Sequence, residues 1–471
     1  MVSESWRKEF IGFTKDISSD VTYEESAQIL RDLVQSEMLK FTDIQTDPEK
    51  FFEAHRLLLA PSTRGPGFGI RFTVQYNLFA GSVVGLGSPE QVAKLENFAK
   101  EARLGCFCLT ETGAGVNSGL VVETTATWVP EKQQFLLHCP TPSAEKNWIS
   151  QGLTASKAVV IANLIIDGKP YGPHGFLIDL REGESGKPLP GITMTDMGKK
   201  TTGNDLDNAR IKFTNVWLEK STLLSRFADI QDNKYVQTTE ERMRLEVIGQ
   251  RLLTGRLAIA EAGLIFAQKL YAETKNFADK RKVWSPKGTP DTYLSSLPHL
   301  KYLFAEADIR IQRLLNFCKH VETRLDKVLS SRDIPSADLV EAIAVCKVSA
   351  IESSIELCFR LKQEVGSYGL MDGTGFEHID FLQCCKFAEG DSRILSQKMA
   401  RDAMKSFKSG KKMKSEKVKK ACMDLGAALS SSKSSPMIAW NEQWKLVYAL
   451  SEAVREGHIS EALGPLSLSK L

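Results

Sequence analysis

The period of the apolar residues changes twice along this chain, and that order of periods limits the folds open to it more than any other feature. Up to about Arg103 the pattern is helical. Thr22 followed by Glu25 forms a capping box, and Ile29, Leu30, Leu33, Val34 and Met38 then recur at helical spacing. A Gly- and Pro-rich stretch, Pro61 to Gly69, is expected to break the helices, and Pro89 to open another. From Cys106 to about Trp217 short β-branched runs take over: Leu120 to Val129, Phe135 to His138, Ala158 to Ile166, Gly175 to Leu180, Ile192 to Thr195 and Ala209 to Phe213. Beyond about residue 236 helical runs return and are long. They cover Leu245 to Ala278, Leu297 to Leu329, a third after Pro335 with Ser336 as N-cap, and a fourth from Ile394 towards Phe407.

This order predicts an α+β multidomain chain. Residues 1–105 form an N-terminal α-helical domain and 106–235 a β-barrel-like domain. Residues 236–405 form a four-helix bundle, and 406–471 a Lys-rich linker with an extra helical tail.

Lys and Arg number 61 against 58 Asp and Glu, so the charge balance asks for neither a nucleic acid nor an anionic membrane as partner. The lysines from Lys405 to Lys420 read as a solvated helix face and linker. No run approaches the roughly 18 apolar residues of a membrane span. Glu4, Lys8, Glu9 and Lys15 interrupt the N-terminus where a secretory signal would be apolar. The nine cysteines show no zinc-ligand spacing and read as reduced core residues, with no metal site. The last three residues, Ser469, Lys470 and Leu471, spell the address read by the peroxisomal import receptor.

The stretch Cys106-Phe-Cys-Leu-Thr-Glu-Thr-Gly-Ala-Gly-Val-Asn117 carries the first chemical signal. Gly113 and Gly115 let backbone approach a ligand and aim amides at phosphate oxygens, although half of such Gly-x-Gly pairs are simply turns. Thr110 adds a hydroxyl. In Lys146-Asn-Trp-Ile-Ser150 an indole offers a planar surface and Ser150 a hydrogen-bonding edge, with core packing the plainer role for Trp148. Arg281, in Arg281-Lys-Val-Trp284, suits a phosphate or simply the end of a helix dipole. Gln363-Glu-Val-Gly-Ser-Tyr-Gly369 reads as a helix cap and turn, and Phe387-Ala-Glu-Gly-Asp391 as the turn before a helix.

Together these segments resemble the acyl-CoA oxidase and acyl-CoA dehydrogenase superfamily over about Gly67 to Met404, closest to the peroxisomal acyl-CoA oxidases. Glu123-Thr-Thr-Ala-Thr127, Pro188-Leu-Pro-Gly-Ile192 and Asp207-Asn208 are similar to the oxidase branch. The resemblance implies FAD as cofactor, contacted by Thr110, Gly113, Gly115, Trp148 and Ser150, and by Arg281 with Trp284. It implies that Gln363, Gly366 and Gly369 complete the FAD site of a second subunit, hence a homodimer. It also implies Glu389 as the base that takes the α-proton of an acyl-CoA while hydride passes to flavin N5, with O2 as final acceptor and peroxide as product. In one branch the base stands on an earlier helix, but there Leu253-Thr-Gly-Arg256 carries Gly255. Ser367, Ala388 and Val116 depart from the family pattern. Two other readings stay open: a dehydrogenase passing electrons to a protein acceptor, favoured by Trp148-Ile-Ser150, and a non-catalytic flavin- or CoA-binding scaffold.

Overall fold

The computed structural model describes residues 2–18, 20–59, 66–115, 121–183, 186–239, 245–285, 288–331 and 333–465. Val116 and the terminal Ser469-Lys470-Leu471 lie outside the described residues. The chain divides into two compact units. One comprises Met1–Ala258 with Leu329–Asp333, the other Ile259–Val328 with Ile334–Leu471.

The first unit opens with helices α1 (Glu4–Thr14), α2 (Tyr23–Gln35), α3 (Asp43–Thr46) and α4 (Pro48–Leu59), followed by α5 (Pro66–Thr73). A π-helical segment, Val74–Ala80, links α5 to α6 (Gly81–Leu86), and α7 (Pro89–Lys100) follows. The capping box at α2 is present: Glu25 N–H donates to Thr22 Oγ1 at 3.2 Å, and Thr22 N–H to the Glu25 carboxylate at 2.8 Å. Of the stretch Pro61 to Gly69, expected to break the helices, residues 61–65 lie outside the described residues, α4 ends before them at Leu59, and Pro66 to Gly69 begin α5. The glycine at 67 is steric: a Cβ there would lie 2.2 Å from an Asp205 carboxylate oxygen.

The β part is built on β1 (Gly105–Cys108), β2 (Thr125–Val129), β3 (Gln134–His138), β4 (Lys146–Ser150), β5 (Lys157–Ile166) and β6 (Lys169–Asp179). It continues through β7 (Ile192–Asp196), β8 (Asn208–Phe213), β9 (Val216–Glu219), β10 (Ala228–Gln231) and β11 (Lys234–Gln237). Strand β5 is the axis of a six-stranded sheet. Parallel β1 and β2 pair with its successive halves, antiparallel β6 pairs with it as well, and β3 and β9 extend the sheet from β2. A second sheet runs β4-β8-β7. Leu120, the expected start of a strand, lies outside the described residues; from residue 121 on, strand pairing starts only at Thr125, because the Glu111 carboxylate takes the N–H groups of Glu123 and Thr124 at 2.6 and 3.0 Å.

Arg71, fully buried, ties these layers together. Its guanidinium donates to Asp207 Oδ1 at 2.9 Å, Thr154 Oγ1 at 3.0 Å, and the carbonyls of Tyr23 and Asp205. Two histidines of this unit are buried neutral, since burial lowers His55 and His174 from their ordinary value near 6.5 to about 4. Between those values the unfolded imidazole binds a proton that the folded one refuses. Stability is therefore full above about pH 6.5 and falls as pH drops towards 4, by about 1.4 kcal/mol per pH unit for each histidine. Denaturant melts of the His55→Phe variant should show a shallower acid limb than the wild type. Parallel acid limbs would exclude His55 as a source of that dependence.

Helix α8 (Leu245–Ala278) runs across the division between the units. It is followed by β12 (Lys282–Val283), β13 (Thr292–Tyr293), α9 (Pro298–Ser331) and α10 (Ala337–Glu364). The remaining helices are α11 (Asp380–Phe387), α12 (Ser392–Lys408), α13 (Glu416–Ser431), α14 (Pro436–Glu442) and α15 (Trp444–Leu463). Ser336 is the N-cap of α10, its hydroxyl accepting the Leu339 N–H at 3.2 Å. The Lys-rich stretch is partly paired, with Lys414 bridging Asp338 and Glu461 at 3.0 and 2.6 Å. All nine cysteines are free thiols. Among the described residues no helix is long and apolar enough to cross a membrane.

Candidate active site

The candidate residues fall in both units, Thr110 to Ser150 in the first and Arg281 to Glu389 in the second. In the first, the Thr110–Gly115 loop lies along β4. Thr110 accepts the Asn147 N–H at 2.9 Å, and the N–H groups of Thr112 and Gly113 donate to Glu145 and Ser143 at 2.8 Å. The loop is anchored by an ion pair that the sequence reading did not single out. Lys146 Nζ meets Glu111 Oε1 at 2.7 Å with both side chains fully buried, and also donates to the Ile161 carbonyl at 2.7 Å. Burial pushes the Lys146 ammonium below its ordinary range while Glu111 opposes that shift. The available signal was a charge at each of two strand-associated positions, each needing the other as partner.

Strict alternation would put Lys146 and Trp148 on one face of β4. A register irregularity between Lys146 and Ile149 separates them instead. Lys146 and Ile149 are buried, while Trp148 takes a left-handed backbone, φ +55°, and remains 55% exposed. Thr110, Gly113 and Gly115 are also exposed, and Ser150 is half-buried, accepting the Asn208 amide at 3.0 Å. A Cβ at Gly113 would crowd Ser143 at 3.1 Å.

In the second unit, Arg281 and Trp284 flank β12 after α8 and are both exposed, Trp284 at 70%. The Gln363–Gly369 segment closes α10, and Tyr368 stacks on Phe277 of α8 with ring centroids 3.8 Å apart and planes 8° from parallel. Gln363 and Gly366 are exposed, and Gly369 is buried. Glu389 stands apart from that loop. It lies between α11 and α12, in a turn held by Lys347, which sits about 24 Å along α10 from Gln363.

Glu389 is buried and left-handed, φ +56°, with Gly390 at φ +95° after it. Most of the ten described non-glycine residues with positive φ sit in ordinary turns; Trp148 and Glu389 are a bulky aromatic and a buried acid. After the turn, Asp391 caps α12, accepting the Arg393 N–H at 2.7 Å and pairing with its guanidinium at 3.0 Å. Among the described residues no cluster of His, Cys, Asp and Glu could hold a metal ion.

The family model of the acyl-CoA dehydrogenase C-terminal domain matches residues 245–404. The peroxisomal acyl-coenzyme A oxidase 1 of Arabidopsis thaliana is 29% identical over 350 residues, which cover 71% of this chain and 51% of that protein. Its human counterpart is 27% identical over 348 residues, again 71% and 51%. The chain thus spans about half the length of these relatives. An acyl-CoA oxidase from tomato superposes with a TM-score of 0.80 at 19% identity, covering 97% of this chain and 77% of that one. Acyl-CoA oxidase-2 of Caenorhabditis elegans, solved with FAD, ascaroside-CoA and ATP, superposes equally well, TM-score 0.80 at 19% identity over 97% and 75%. Residues 245–404 thus match the acyl-CoA dehydrogenase C-terminal domain, and the chain has the fold of the solved acyl-CoA oxidases.

Proposed function

We propose that the protein oxidises an acyl-CoA thioester to the 2,3-enoyl-CoA, using FAD and the Glu389 carboxylate, in peroxisomes. The conformation of Glu389 carries the reading. A buried acid in a left-handed turn is a costly arrangement, about 1–3 kcal/mol of backbone strain, and such strain gathers where a side chain must be aimed. In this role Glu389 removes the proton from the thioester α-carbon, and its own backbone N–H donates to the thioester oxygen as charge develops there.

The residues suit FAD. The exposed Trp148 indole offers a flat face, Thr110 and Ser150 hydroxyls can meet a polar ring edge, and the absence of side chains at the exposed Gly113 and Gly115 leaves room for a phosphate to approach. Arg281 would bind pyrophosphate, and Gln363, Gly366 and Gly369 would complete the site of a second subunit in a homodimer. When bound, FAD would supply the two-electron acceptor for the β-carbon hydride, with O2 as final acceptor and peroxide as product. The C. elegans relative bound with FAD and ascaroside-CoA supports both the cofactor and a thioester substrate. Relatives named as peroxisomal, and the terminal Ser469-Lys470-Leu471, support recognition by the import receptor.

The test is peroxide release. Flavin-loaded protein given acyl-CoA in air should form enoyl-CoA and peroxide in equal amounts. Enoyl-CoA formed only when a protein electron acceptor is added would favour the dehydrogenase reading, and neither product would favour the scaffold.

A further inference from the structure

We propose that Lys347 is the positioning residue for Glu389, acting through the backbone of the turn that carries it. The proposal rests on the reading of Glu389 as the base. Lys347 projects from α10 and is fully buried. Its ammonium donates to the carbonyls of Lys386 and Gly390, each at 2.7 Å, and to Ser392 Oγ at 3.1 Å. Three acceptors match the three donors of an ammonium. They also bracket Glu389 in sequence, before and after it.

A buried ammonium is costly unless its protons are all engaged. Capping the last turn of α11 would account for the bond to Lys386 alone. It does not account for the bonds to Gly390 and Ser392, which lie beyond Glu389. Released from these bonds, Glu389 would leave the left-handed region, which a residue with a Cβ rarely occupies, and its carboxylate would swing with the backbone. Fixing the turn at both ends removes that freedom. A general base must sit within hydrogen-bond reach of its proton, so a displacement near 1 Å is enough to slow the step about 10²-fold.

The test compares Lys347→Met, Lys347→Arg and Lys347→Gln in flavin-loaded protein. Lys347→Met should lower the rate of flavin reduction at saturating acyl-CoA by about 10–100-fold. KM for acyl-CoA and retention of FAD should stay near wild type. Lys347→Arg, which keeps charge and donors, should recover part of the rate. Amide hydrogen exchange in Lys347→Met should quicken at residues 387–391 and not elsewhere in the second unit. A normal rate, or a loss shared equally by KM and FAD retention, would overturn the proposal, as would unchanged exchange in the turn. If Lys347→Met does not fold, Lys347→Gln decides by the same readouts. A wild type that acyl-CoA never reduces, or a fully active Glu389→Gln, would defeat the reading of Glu389 instead, while the exchange result would still report on the clamp.

Discussion

Glu389→Gln is expected to leave a folded, flavin-loaded protein whose reduction by acyl-CoA is slowed by about 10²–10⁴-fold, the usual worth of a positioned general base. The substitution keeps the size of the side chain and the backbone N–H, so binding of the thioester and the donor to its oxygen persist. What goes is the capacity to accept the α-proton. The turn should survive, because Gln meets the same left-handed conformation at the same cost and the bonds from Lys347 go to backbone carbonyls and Ser392. Stopped-flow reduction under saturating acyl-CoA reads the loss directly. A variant within a few-fold of wild type would place the base on another residue.

Asp207→Ala is expected to destabilise the first unit by about 3–5 kcal/mol, because it strands the buried Arg71 guanidinium. Asp207 also accepts the N–H groups of Leu153 and Thr154 at 2.7 and 3.2 Å, so the segment after β4 loses its anchor in the same step. Replacing both partners, Arg71→Met with Asp207→Leu, should cost less than the two single losses added together, since no buried charge is then left alone. Chemical denaturation of the wild type, Arg71→Met, Asp207→Leu and the double variant measures the coupling. Strict additivity would mean that the pair contributes through its separate packing and not as an ion pair.

The sequence made long-range periodicity legible and concealed long-range pairing. Capping at Thr22 and Ser336 could be read because both partners lie within four residues, and the α8 boundaries followed from an unbroken helical period. The exposure of Trp148 could not be read from alternation, since the irregularity in β4 reverses the face it would occupy. The late start of β2 had the same character: its upstream amides are taken by Glu111, from another part of the chain. Arg71 with Asp207, and Lys347 with the Glu389 turn, join residues far apart in sequence, and neither pattern nor spacing signals them. The motif residues were visible as types. Their strain was not, because a left-handed Glu or Trp looks like any other until the backbone is seen.

Anaerobic mixing of the flavin-loaded wild-type protein with a series of acyl-CoA thioesters shows whether this chain takes a proton and a hydride from an acyl-CoA. Bleaching of the flavin absorption by at least one thioester, with enoyl-CoA formed in proportion, is the predicted result. A fully loaded protein whose flavin stays oxidised across the whole series would contradict it.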